Sequence, residues 1–124
     1  MNRHIMEAVK NYKAVIVYGT GVYGRRCYYD IQMYRGEILF AVSVIRNNDV
    51  YHGNLIHSIE SLIHYSDSAV VIVAVSKKYQ EEMYDNAVKL GFKNILAPDI
   101  SLNDYDYMKN WQSLDLKKGD CGMV

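Results

Sequence analysis

The sequence is short of several things, and each shortage excludes a class of protein. Two cysteines, Cys27 and Cys121, cannot make a disulfide framework in a chain of 124 residues. No apolar run reaches the roughly 18 residues that cross a bilayer, because Lys, Arg, His or Asp interrupts each one. There is no net charge: 14 basic residues cancel 14 acidic ones, which excludes a nucleic-acid binder working by bulk positive charge. The four histidines show neither H-x-x-x-H nor H-E-x-x-H spacing and no cysteine pair supports them, so no metal site is expected. The segment Met1 to Glu7 breaks its short apolar step with charge and does not read as a signal peptide. A reducing, cytoplasmic setting is the expectation.

What is present is half apolar and 23% charged, the balance of a folded chain with room for one domain. From Lys13 the residues fall into a β–α rhythm. Ala14 to Tyr18 is an apolar run without alternation, as expected of a strand covered on both faces. Val22 to Arg35 reads as a helix with Val22, Cys27, Ile31 and Tyr34 near one stripe, and Gly36 ends it. Ile38 to Val42 is a second covered strand, followed by a polar loop, Arg46 to Asp49. Leu55-Ile56 is a very short third strand, and Ser58 caps a helix to about Tyr65. Ala69 to Val75 is the strongest strand signal. Ser76 then caps a helix that runs to Leu90 and closes at Gly91, and Asn94 to Leu96 is a fifth strand before the only proline, Pro98. Residues 1–98 are therefore expected as one domain. Residues 99–124 are expected as a C-terminal extension, with Asp104 to Leu114 as a helix and then a frayed tail.

Strands alternating with helices imply an α/β fold with a parallel sheet and helices on both faces. Right-handed crossovers give about five strands in the order 3-2-1-4-5, a Rossmann-like half fold.

Gly19-Thr20-Gly21-Val22-Tyr23-Gly24 is a G-x-G-x-x-G placed at the end of a buried strand and the start of a helix. In that context Gly19 permits the tight turn, Gly21 lets a pyrophosphate approach the backbone, and Gly24 lets helix and sheet pack closely. The alternative is a tight turn that binds nothing. A dinucleotide site wants Asp or Glu at the end of the second strand, and this chain has Ser43-Val44-Ile45-Arg46 there. Ser43 and Arg46 suit a 2′-phosphate and so NADP; equally, the ribose is held another way, or Arg46 is a solvated loop charge. Val75 and Ser76, at the carboxyl end of the strand beside the turn, stand where ligands bind in such sheets.

Other candidates carry less. Tyr105 and Lys109 have the spacing of a proton-shuttling tyrosine–lysine pair, but a chain with 12 tyrosines yields about one such pair by chance. Cys27 reads as a small core hydrophobe. Tyr28, Tyr29, Met33 and Tyr34 are candidates for a sticky face. With the short strand at 94–96, whose backbone groups need covering, they point to a homo-oligomer.

The phrases Val15 to Gly24, Val71 to Glu82 and Leu90 to Ile95 resemble the small Rossmann-like domain of bacterial surface-polysaccharide proteins. That domain stands alone or ahead of glycosyltransferase and other transferase domains, and is similar to the nucleotide-binding part of enzymes that modify nucleotide sugars. Many of its members carry Asp directly after the second strand, where this chain has Ser43. The resemblance implies a nucleotide- or nucleotide-sugar-binding domain serving polysaccharide assembly, with NAD or NADP as possible cofactors. One mononucleotide-binding half leaves no obvious room for complete catalytic machinery. The other readings are an NAD(P)-dependent oxidoreductase acting on a sugar nucleotide, completed by dimerisation, and a regulatory or scaffold domain that has lost its ligand.

Overall fold

A computed structural model of the protein describes residues 3–45, 50–51 and 54–98. The expected extension, 99–124, and the loop 46–49 with Arg46 lie outside the described residues. The elements in chain order are α1 (Arg3–Val9), β1 (Ala14–Tyr18), α2 (Val22–Asp30), β2 (Glu37–Val42), β3 (Val50–Tyr51) and β4 (Asn54–Ser58). A 3-10 helix (Ile59–Tyr65), β5 (Ala69–Val73), α3 (Lys77–Lys89) and β6 (Ile95–Leu96) follow.

The sheet has the order β3-β4-β2-β1-β5-β6. Its five parallel strands, β4, β2, β1, β5 and β6, stand in the expected 3-2-1-4-5 arrangement. The sixth strand, β3, pairs antiparallel with β4 and was not foreseen, since two residues carry no periodicity to read. β1 and β5 are buried along their whole length. Strand alternation divides their side chains between two cores. Val15, Val17, Val70 and Ile72 face α1 and α2, with Cys27, Ile31 and Phe40. Ala14, Ile16, Tyr18, Val71 and Val73 face the other way, with Ile59, Leu62, Ala87 and Phe92 from the 3-10 helix, α3 and its exit. Each fully buried Val or Ile side chain contributes about 1.5–3 kcal/mol relative to exposure.

Three local readings are corrected. The segment before Lys13, for which the sequence predicts no element, forms α1, which packs Ile5 and Val9 into the first core. The helix after the glycine turn stops at Asp30, short of the Arg35 expected. There the backbone tightens: Ile31 N–H is shared between the Cys27 and Tyr28 carbonyls, and Tyr34 N–H donates to the Ile31 carbonyl. This turn delivers the Tyr34 ring to the core, where its hydroxyl donates to the Tyr12 carbonyl at 2.5 Å. Tyr34 is therefore no part of a sticky face, whereas Met33 remains 67% exposed. Gly36 does not end the helix; it passes so close to the Tyr34 ring and the Lys13 carbonyl that a Cβ would overlap both. Finally, the helix capped by Ser58 is a 3-10 helix, in which Ser58 Oγ accepts from Ser61 N–H at 3.3 Å.

α3 ends as its sequence suggests. Gly91 N–H donates to the Val88 carbonyl and Phe92 N–H to the Ala87 carbonyl, the paired bonds of a glycine-closed helix, with Gly91 at φ +97°. Among the described residues no helix is long and apolar enough to cross a membrane.

Candidate functional site

The register sets the geometry of the carboxyl edge. Tyr18, the last residue of β1, stands opposite Ala41 of β2 on one side and Val73 of β5 on the other. The chain leaving β1 enters α2 on one face of the sheet, and the chain leaving β5 enters α3 on the opposite face. Between them lies the point at which the strand order reverses, the place where open α/β sheets make a crevice.

Gly19 occupies that point. Its N–H donates to the Ala41 carbonyl at 2.9 Å, and Ala74 N–H donates to the Tyr18 carbonyl at 2.9 Å. The two exit loops are thus stitched together directly beyond the strands. At φ +130° the backbone favours glycine. A Cβ would collide with the Ala74 carbonyl oxygen and come to 3.0 Å from Val75 Cγ1. Thr20 is half-buried, and Gly21 is exposed as the N-cap of α2, its carbonyl accepting from Arg25 N–H at 3.0 Å. Glycine offers no side chain to cap the helix, so nothing of Gly21 beyond its backbone stands before the first-turn amides. Val22 and Tyr23 are half-buried, Tyr23 against the first core, and Gly24 is buried.

The other sequence candidates reach the same edge from neighbouring strands. Ser43 follows β2 directly and is exposed. Val75 and Ser76 link β5 to α3, both half-buried. Ser76 is the N-cap of α3 by position, yet its hydroxyl makes no capping bond. Arg46 is outside the described residues.

Reading the sequence missed a cleft on the face of the sheet that α3 covers. Tyr18 is fully buried, and its hydroxyl lies 2.5 Å from Ser43 Oγ while accepting from Asn86 Nδ2 at 2.9 Å. Ser43 and Asn86 are also part of the wall of a cleft of about 550 Å³ between the end of β2, the 3-10 helix and α3. Among the described residues, three carboxylates line it, Glu60, Glu82 and Asp85, with the ammonium of Lys89. Val44 and Met83 supply its apolar wall. The volume falls within the range of small-molecule pockets, roughly 300–1,000 Å³. One signal pointed here: residues 82, 85, 86 and 89 share a helix face, although polar residues at that spacing equally describe a solvated face.

Cys27 is fully buried in the first core; burial, and then the charge of Asp30, pushes its thiol far above the ordinary cysteine range. Such a group is no nucleophile. Among the described residues no three His, Cys, Asp or Glu side chains gather as metal ligands. No protein-family model, curated protein or solved structure matches this chain.

Proposed function

We propose that the chain binds a nucleotide or nucleotide sugar across the carboxyl edge of its sheet and serves bacterial surface-polysaccharide assembly. The observation that carries the reading is the turn at Gly19 to Gly21: a glycine held at positive φ where two exit loops diverge, then an exposed glycine before the amides of α2. A diphosphate over Gly21 would lie at the positive end of the helix dipole, before the first turn of α2. The phosphates of NAD or NADP fit the same turn by the same contacts. The assignment to polysaccharide assembly is supported by the strand phrases Val71 to Glu82 and Leu90 to Ile95.

Isothermal titration with UDP, UDP-glucose, NAD and NADP tests the reading. At least one should bind, and Gly21→Val should weaken it by more than about tenfold, the loss of roughly one charge-assisted contact. Binding of none, or equal binding by wild type and Gly21→Val, makes the turn purely structural.

A further inference from the structure

β6 pairs with β5 as far as Leu96. In this parallel ladder Val71 N–H donates to the Asn94 carbonyl at 2.8 Å. Two residues further along, the same alternation turns the Val73 carbonyl toward the N–H of residue 98. That residue is Pro98, which has none. A side chain of α3 fills the gap. Gln80 Nε2 lies 3.5 Å from the Val73 carbonyl oxygen and donates to the Pro98 carbonyl at 2.7 Å, so one amide group fastens the exits of both strands. An amide nitrogen carries two N–H groups and can serve both carbonyls at once.

The exit held in this way is the one that meets the glycine turn. Ala74 follows Val73 directly. Its N–H donates to the Tyr18 carbonyl at 2.9 Å, and its carbonyl oxygen is the atom that a Cβ on Gly19 would strike. Val75, the next residue, comes to 3.0 Å from the same Cβ position. Gln80 stands on α3, across the sheet from α2, so it acts on the turn through residues 74–76.

Resting on the nucleotide reading of the glycine turn, we infer that Gln80 is a positioning residue of that site: by clamping the exits of β5 and β6 it holds residues 74–76 against Gly19 and keeps the turn in the shape that receives a diphosphate. A turn set before the ligand arrives spares the ordering cost that a loose one adds to binding. The ligand need not touch Gln80.

The test is titration calorimetry of the full chain with NAD and UDP-glucose, using wild type, Gln80→Met and Gln80→Glu. Methionine matches glutamine in length without its donors. Whichever probe wild type binds should bind Gln80→Met about three- to tenfold more weakly. Glutamate has no donor when ionised and regains one when protonated. Gln80→Glu should therefore bind at least as weakly as Gln80→Met at about pH 8. It should recover part of the wild-type affinity at about pH 4.5, near the ordinary glutamate value of about 4.3, whereas Gln80→Met keeps a constant ratio to wild type. The glutamate arm also decides the matter if Gln80→Met fails to fold. Equal affinity in wild type and both variants, even with lowered melting temperatures, makes the clamp a matter of folding alone; it overturns this inference and leaves the nucleotide reading standing. Binding of no probe by wild type overturns both.

Discussion

The hydroxyl of Tyr18 lies 2.5 Å from that of Ser43 and so ties the end of β1 to the first residue beyond β2. Asn86 of α3 donates to the same phenol oxygen, which makes one buried ring the meeting point of two strands and a helix. Tyr18→Phe keeps the ring and removes both bonds. It should cost about 1–2 kcal/mol of stability, since each net hydrogen bond contributes about 0.5–1.5 kcal/mol and the freed Asn86 and Ser43 side chains find water. Urea denaturation checks this, and an unchanged midpoint would show that the bonds do not stabilise the fold.

The glycines at 19 and 24 should both matter to folding, for different reasons. Gly19→Ala puts a Cβ into the Ala74 carbonyl and forces alanine to φ +130°, a strained conformation costing about 1–3 kcal/mol. Gly24→Val overfills a buried position in the first turn of α2, costing about 1–3 kcal/mol by displaced packing. Gly21, exposed, should tolerate valine with a much smaller fall in melting temperature. Melting all three variants side by side gives the order, and a Gly21→Val protein as unstable as Gly19→Ala would contradict it.

Alkali should loosen the protein through its tyrosines. Burial, and then the charge of Glu37, raises the Tyr34 phenol above its ordinary value of 10.0. The folded state therefore holds that proton more tightly than the unfolded chain does. The stability from the neutral phenol is complete below about pH 10 and is lost as pH rises through the folded-state value. Tyr65, raised first by its hydrogen bond to Glu37, acts in the same direction. Melting temperature should hold steady to about pH 9.5 and fall beyond it, less steeply in Tyr34→Phe. A parallel fall in that variant would remove Tyr34 from the account.

Thiol chemistry should report on opening of the first core. In a Cys121→Ser background Cys27 is the only thiol; it is fully buried and beside Asp30, which pairs with Arg26 at 3.2 Å. A disulfide reagent should therefore react at the rate of opening and be accelerated by urea, whereas rapid stoichiometric reaction in native buffer would disprove the burial.

The sheet was legible because β1 and β5 are continuous apolar runs that only a doubly covered strand explains, and because Gly19 follows β1 and Gly91 closes α3. Local signals failed where tertiary contacts decided the outcome. α2 shortens because Tyr34 is drawn to the Tyr12 carbonyl, a partner 22 residues earlier in the chain. β3 exists only as the neighbour of β4. The glycine turn could be read because a single hexamer carries it. The cleft could not, since Ser43, Glu60 and Asn86 come from three elements, and only the fold places them around one volume.

Among the described residues, both margins of the sheet are two-residue strands, Val50–Tyr51 and Ile95–Leu96. A ladder of that length gives an incoming strand almost nothing to zip onto, and Pro98, without an N–H, blocks its extension beyond Leu96. Fibril growth by strand addition is thereby discouraged at each flank, although the centre of the sheet is among the most β-prone stretches of the chain.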